Sequence, residues 1–419
     1  MDKIVIKGGK PLKGAVKISG AKNAVLPMMA ATLLAEGRFE IRNVPDLRDV
    51  KTMAHLLRII GAKVAFAESR LVIDTSDCGF YEAPYELVKT MRASIYVLGP
   101  LLARYGQARV SLPGGCAIGP RPVDLHLKGM EDLKATVELD KGYIVAKARK
   151  LRGSSVSFDV SSVGATGNVL MASVLAEGRT VINNAAREPE ISALAEFLVK
   201  MGAEIEGIGS GQLRIHGVSK LEPVSFDVIP DRIETGTFMI AAAITGGEVE
   251  IQKTDPKLVA SLTSKMRMAN VMVEEGESVI FCKAPERLKP TNVTTSVYPG
   301  FPTDLQAQWM TLMCLADGSS VIQETIFFDR FAHVAELRRL GAQIQVNENV
   351  SIVTGVGKLI GATVMSSDLR ASACLILAGL IAQGRTDVLR IYHLDRGYEK
   401  IESKLVGLGA NTWREEGSS

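Results

Sequence analysis

A chain of 419 residues with 47% hydrophobic and 23% charged residues has an ordinary globular composition, long enough for two or three domains and neither disordered nor fibrous. A formal net charge of +3 without a basic tract, and only 5% aromatic residues, exclude a stacking platform for nucleic acid, while leaving room for a local cluster of cations around a small anion. The most apolar stretches, at 238–245 and 375–382, are far short of a membrane span.

The opening residues, Met1-Asp2-Lys3-Ile4-Val5-Ile6, alternate as a strand and carry no secretory hydrophobic region. Next comes Ser19-Gly20-Ala21-Lys22-Asn23-Ala24, immediately before an apolar helical run. Lys22 can meet an anion in this glycine-supported turn and Asn23 supplies a donor and an acceptor; an ordinary solvated lysine at a helix start is the plainer alternative. That run ends at Leu33-Leu34-Ala35-Glu36-Gly37, the first of six such endings, with glycines at 37, 106, 178, 246, 318 and 384 about seventy residues apart. A second marker follows each of them. Leu57-Arg58-Ile59-Ile60-Gly61-Ala62 is echoed at 198–203, 337–342 and 405–410, and in copies without glycine at Leu133-Lys134-Ala135 and Ala269-Asn270-Val271, where Asn270 tolerates the left-handed turn. Each copy reads as a helix ending at glycine, a strand, an amphipathic helix ending at Gly-Ala, and further short strands. Six α/β units, three per domain and packed around shared cores, follow from this pattern. The boundary falls near residues 221–230, and the opening strand can belong to either half. No dinucleotide fingerprint or phosphate loop stands between a strand and a helix.

Within this frame several segments carry chemistry. Lys89-Thr90-Met91-Arg92-Ala93-Ser94 spaces Lys89 and Arg92 one turn apart, facing one cleft or merely decorating a surface helix. Leu112-Pro113-Gly114-Gly115-Cys116-Ala117-Ile118-Gly119-Pro120-Arg121-Pro122 combines a thiol with an arginine in a loop shaped by glycine and proline, where nearby cations favour a reactive Cys116. The remaining cysteines, Cys78, Cys282, Cys314 and Cys374, read as bland or buried, and an odd, scattered set of five points to a reducing, cytoplasmic setting. Ser161-Ser162-Val163-Gly164 can cradle phosphate or simply cap a helix, and the acids of Arg187-Glu188-Pro189-Glu190 can also cap. In the second half, Asp304 in Phe301-Pro302-Thr303-Asp304 can accept a proton from an alcohol or cap a helix; Asp368 and Arg370 pair an acid with a base; Asp395-Arg396-Gly397-Tyr398-Glu399 positions another arginine. Together these make an anion site with a thiol and an aspartate, for which a cleft between domains is the simplest location. The five histidines, at 55, 126, 216, 333 and 393, show no metal-site spacing.

These segments, in this order and over essentially the whole chain, resemble the enolpyruvyl transferase family, and most closely its UDP-N-acetylglucosamine 1-carboxyvinyltransferases. Gly20-Ala21-Lys22-Asn23, Pro113-Gly114-Gly115-Cys116, Gly119-Pro120-Arg121-Pro122-Val123-Asp124-Leu125, Pro230-Asp231-Arg232-Ile233-Glu234-Thr235-Gly236 and Asp395-Arg396-Gly397-Tyr398-Glu399 are the most specific stretches. The resemblance implies a two-domain inside-out α/β barrel, with one domain of residues 21–229 carrying a mobile cysteine loop at about 111–122, and the other of 1–20 plus 230–419. It implies transfer of enolpyruvyl from phosphoenolpyruvate to the 3′-hydroxyl of UDP-N-acetylglucosamine with release of phosphate, the first committed step of peptidoglycan synthesis. Lys22, Arg121 and Arg396 would hold phosphoenolpyruvate, with Arg92 adding positive field. Cys116 would be the acid, the adduct-forming thiol and the target of fosfomycin; Asp304 the base; Asp368 an assistant in proton movement; Asn23 a substrate contact. For the nucleotide sugar, Arg121, Pro122, Val123, Asp124 and Leu125 resemble the uracil-side contacts and Ser162, Val163 and Gly164 the diphosphate loop, with Ile326 a further contact. Val160 departs from the lysine that many relatives carry there, which weakens the expected phosphate contact. The family needs no cofactor and no catalytic metal, and the expected protein is a cytoplasmic monomer that binds these two small molecules, with no nucleic acid and no membrane insertion. The shikimate 3-phosphate enzyme and a noncatalytic nucleotide-sugar sensor are the alternatives.

Overall fold

The computed structural model describes residues 2–112 and 123–416; Cys116, Arg121, Pro122 and most of the expected mobile loop lie outside the described residues. The chain folds into two compact units, one of residues 20–112 with 123–229, the other of 2–19 with 230–416. The opening strand therefore lies in the second unit, and Gly20 in the first.

Each unit contains three four-stranded sheets, and all six sheets share one plan: an edge strand parallel to its neighbour, then two antiparallel pairs. In the first unit, Ser225–Asp227 pairs parallel with Arg38–Arg42, which pairs antiparallel with Arg70–Asp74, followed by Lys63–Ala67. In the second unit, the N-terminal residues complete two sheets. Lys13–Lys17 is the parallel partner of Glu248–Gln252, and Lys3–Lys7 fills the place between Arg385–Leu389 and Asn411–Glu415 that a later hairpin strand fills elsewhere. Strand Lys13–Lys17 precedes the first unit's opening helix in sequence yet pairs within the second unit. Strand Ser225–Asp227 does the reverse, so the chain crosses between units at 19–20 and 229–230. Composition could not reveal this exchange, because nothing in Lys13–Lys17 or Ser225–Asp227 marks which strand each will pair with.

The helices divide into two kinds for a reason visible in their residues. Val163–Ser173 is buried from Ala165 to its end and Arg232–Ile244 from Ile233 onward, because both are apolar or small on every face. Such a helix must be surrounded. Lys22–Ala31 and Leu98–Tyr105 accompany the first, and Gln306–Met313 and Leu369–Ile381 the second, as the interior helices of their units. Outer helices such as Arg48–Ile60 keep a polar face, with Lys51, His55 and Arg58 exposed. Strands bury alternate residues, as in Arg38–Arg42, where Phe39 and Ile41 point inward. One hydrophobic core fills each unit: Phe39, Phe197 and the interior helices in one, Phe238, Trp309 and theirs in the other. This is an inside-out barrel, helices within and sheets around them. No helix among the described residues is long and apolar enough to cross a membrane.

The six amphipathic-helix turns hold even where glycine is missing. Gly61 turns at φ 112°, while Lys134 and Asn270 adopt φ 71° and 67° at the equivalent positions. An exposed lysine in the left-handed region is strained by about 1 kcal/mol or more, partly offset by the lower entropy of its unfolded chain relative to glycine. Lys134→Gly is therefore expected to stabilise its unit by about 0.5–1 kcal/mol, read as slower native-state hydrogen exchange in the Thr136–Asp140 and Tyr143–Lys147 hairpin; faster exchange would contradict this account.

Candidate active site

Within each unit, several candidate residues lie at or near the N-terminal ends of helices, where backbone N–H groups without helical partners and the helix dipole favour anions. In the first unit, Lys22 and Asn23 open Lys22–Ala31, with Asn23 exposed. Lys22 Nζ lies 3.1 Å from Asp49 Oδ2, both side chains largely buried, so Asp49 on the neighbouring outer helix fixes where the cation stands. Arg92 opens the turn Arg92–Val97 that leads into Leu98–Tyr105. Asp124 and Leu125 begin the Asp124–Asp132 helix, with Val123 just before it. Ser162 caps Val163–Ser173, its hydroxyl accepting the Ala165 N–H at 3.3 Å. The cap leaves the Val163 and Gly164 N–H groups outside the helical ladder, as the first N–H groups of any helix are.

A buried pair holds three of these segments together. Asn168 Nδ2 donates to Ile95 O at 2.8 Å and lies 3.0 Å from His126 Nδ1, while Asn168 Oδ1 accepts the Gly99 N–H at 2.7 Å. With both amide hydrogens given away, His126 Nδ1 must accept, and the ring proton sits on Nε2. Burial, reinforced by Arg92, pushes the His126 imidazole down to about 4, so the ring is neutral at physiological pH. Nε2 faces the backbone of Gly164, where an added Cβ would come within 3.0 Å of it.

Lys89 does not join this group. It caps the short Tyr85–Val88 helix, pairs with Glu86 and lies over the Tyr85 ring, which makes it the surface cation of the plainer reading. Glu188, at the N-cap of Pro189–Lys200, makes no side-chain cap.

The second unit separates the two aspartates. Asp368 is a helix cap: its Oδ1 accepts the N–H groups of Arg370 and Ala371 at 2.8 and 3.0 Å, and Oδ2 accepts the Ser367 hydroxyl at 3.1 Å. Asp304 makes no cap. Its Oδ2 meets Arg370 Nη2 at 2.7 Å and its Oδ1 meets Arg330 Nη1 at 2.9 Å, with Asp304 27% exposed and the arginines 6% and 8%. Burial alone would raise this carboxyl, but Arg370 and Arg330 outweigh it and hold the group well below the usual carboxylate range. Arg370 in turn donates to the Tyr398 hydroxyl at 3.3 Å, and that hydroxyl lies 2.8 Å from Thr237 Oγ1. Arg396 ends the turn Ile391–Arg396, which packs against the Leu369–Ile381 helix. Ile326 enters through its backbone N–H, which donates to Glu324 Oε1 at 2.8 Å.

Sequence reading missed Arg330 and Asp49, and it paired Arg370 with Asp368 where the structure pairs it with Asp304. Arg370 stood inside a quoted motif, but its partner is 66 positions away. Arg330 and Asp49 gave no local signal at all. Burial disfavours the thiolate at the four described cysteines: it pushes Cys78 up to about 11 and Cys282 and Cys314 to about 12, and raises Cys374 well above its ordinary value.

Comparison with known proteins decides the lineage. The chain matches, over residues 6–405, the family model described as EPSP synthase (3-phosphoshikimate 1-carboxyvinyltransferase). It is 56% identical over 414 residues to the UDP-N-acetylglucosamine 1-carboxyvinyltransferase of Geotalea uraniireducens and 56% identical over 419 residues to that of Chlorobaculum parvum, with 99% of each chain covered in both cases. The chain belongs to the UDP-N-acetylglucosamine 1-carboxyvinyltransferase family. Among solved structures, the enolpyruvyl transferase NikO from Streptomyces tendae matches this family member with a TM-score of 0.90 at 27% identity, covering 99% of this chain and 98% of its own. EPSP synthase from Acinetobacter baumannii shares the fold at a TM-score of 0.78 and 18% identity, over 99% of this chain and 100% of its own.

The Asp304 ion pairs yield a stability prediction for the second unit. Its folded carboxyl lies below the unfolded value, so the stabilisation is fully present above about pH 3.9 and is lost as pH falls toward the folded value. Arg370→Met is expected to cost about 3 kcal/mol at neutral pH, with the difference from the native chain shrinking below about pH 4. Urea unfolding followed by tryptophan fluorescence reads it selectively, because Trp309 and Trp413 are the chain's two tryptophans and both lie in this unit; a pH-independent difference would refute the assignment.

Proposed function

We propose that this chain transfers the enolpyruvyl group of phosphoenolpyruvate to the 3′-hydroxyl of UDP-N-acetylglucosamine and releases inorganic phosphate, the first committed step of peptidoglycan synthesis. The full-length 56% identity to enzymes named for that activity carries the reading. The candidate residues fit its chemistry.

Phosphoenolpyruvate brings a carboxylate and a phosphate, and Lys22, Arg92, Arg121 and Arg396 supply the cations to hold them. Cys116 gives a proton to the methylene carbon, which leaves the adjacent carbon electrophilic. The sugar 3′-hydroxyl attacks that carbon and passes its proton to Asp304, forming a tetrahedral intermediate. The Cys116 thiolate takes back a methyl proton as phosphate departs, which restores the double bond, and the proton on Asp304 passes to solvent. The reaction leaves no atom oxidised or reduced, so proton transfer and charge stabilisation account for it.

A carboxylate held as low as Asp304 is a weak base, and the chemistry tolerates that. As the oxygen bonds to an electron-poor carbon, its proton becomes strongly acidic, and an oriented carboxylate of modest basicity suffices. Asn23 orients the sugar. Val123, Asp124 and Leu125, with Arg121 and Pro122, hold the uracil side; the Ser162, Val163 and Gly164 helix start holds the diphosphate, and Ile326 lines the sugar. Asp368 holds the Arg370 end of its helix in place and so acts on Asp304 at one remove.

Purified protein given both substrates is expected to release one phosphate per enolpyruvyl-UDP-N-acetylglucosamine formed, and to form no product when shikimate 3-phosphate replaces the nucleotide sugar. Absence of product with the nucleotide sugar would overturn the proposal. For the thiol, intact-protein mass spectrometry is expected to show fosfomycin adding once, at Cys116, with the four buried or half-buried cysteines unlabelled. Cys116→Ser is expected to lose about 10²-fold or more in turnover without loss of folding, and Cys116→Asp to retain more activity than Cys116→Ser; equal turnover in Cys116→Ser and the native chain would reject the acid role.

A further inference from the structure

Arg330 stands outside every motif, and its geometry is fully specified. Its Nη1 donates to Thr303 Oγ1 at 2.8 Å and forms an ion pair with Asp304 Oδ1 at 2.9 Å. An arginine can only donate and a carboxylate can only accept, so the Thr303 hydroxyl must accept from Arg330 and donate onward to Glu324 Oε2 at 2.8 Å. Glu324 is fully buried, and its other oxygen accepts from Thr295 Oγ1 at 2.8 Å and from the N–H groups of Ile326 and Phe327 at 2.8 and 3.1 Å. A buried carboxylate satisfied by four donors does not move cheaply. The Phe327 ring lies 5.4 Å from the Arg330 guanidinium and adds a second constraint.

We propose that Arg330, anchored through Thr303 to Glu324, is a positioning residue that fixes the orientation of the Asp304 carboxylate and sets how strongly it holds a proton. The inference rests on the reading of Asp304 as the base for the sugar hydroxyl. Two cations face Asp304, Arg330 on one oxygen and Arg370 on the other. Behind them stand the neutral Tyr398 on Arg370, the acid Glu324 on the far side of Thr303, and Asp368 and Asp231 at neighbouring helix starts. His333, three residues beyond Arg330, is held neutral by burial and adds no charge. Arg330 is thus the cation that pairs with Oδ1, and its removal frees that oxygen both to rotate and to bind a proton more tightly.

The test follows the Asp304 carboxyl directly in a chain carrying carbon-13 at the aspartate carboxyls, its resonance identified by its loss in Asp304→Asn. In the native chain the signal is expected to stay flat down to about pH 4; in Arg330→Met it is expected to titrate near or above about pH 4, and in Arg330→Lys, which keeps the charge without the fork, to stay flat. Turnover in Arg330→Met is expected to fall about 10²-fold with the KM for both substrates changed less than about threefold, the mark of lost orientation rather than lost binding. Thr303→Val is expected to lose about tenfold in kcat and Thr303→Ser to recover most of it. A resonance as flat in Arg330→Met as in the native chain, or equal losses in Thr303→Val and Thr303→Ser, overturns the proposal. If the resonance titrates in Arg330→Met while Asp304→Asn turns over like the native chain, the tuning by Arg330 stands and the base assignment falls.

Discussion

A helix without a polar face can exist in water only if it is surrounded, and both units of this chain are organised around that constraint. Val163–Ser173 and Arg232–Ile244 have nowhere to expose, so sheets and amphipathic helices must enclose them. One four-stranded sheet cannot do this alone, and three modules sharing three interior helices can. The apolar repeat is therefore a packing requirement before it is an evolutionary signature.

The same constraint positions the chemistry. An interior helix buries its length and presents its ends, and the candidate residues Lys22, Arg92, Ser162, Asp304 and Asp368 all stand at or just before the start of such a helix or of the turn leading into it. There the helix dipole assists anion binding, and rigid packing holds side chains to the fractions of an ångström that transition-state stabilisation demands. The aspartates show how local context divides labour. Asp368 spends its oxygens on two backbone N–H groups, whereas Asp304 leaves its helix uncapped and faces two buried arginines.

Much of the fold was legible from spacing alone. Helix-end glycines seventy residues apart, with Gly-Ala turns between them, gave six modules, and the two copies lacking glycine kept the turn through Lys134 and Asn270. The bland reading was correct for Lys89, and the sequence offered no means to decide it, because its partners Glu86 and Tyr85 differ little from those of any surface helix. Arg330 and Asp49 were invisible for a different reason. Each acquires meaning only from a partner brought close by folding, Asp304 in one case and Lys22 in the other.

By itself, then, the sequence determined the module count, the apolar interior helices and the family to which the chain belongs, because each is written in periodicity or in contiguous motifs. Only the tertiary structure decided which strand closes which sheet and which aspartate is free of capping. It also decided which cations govern Asp304's hold on a proton. Strand pairing, hydrogen-bond partners and desolvation are properties of groups distant in sequence, and no local pattern encodes them.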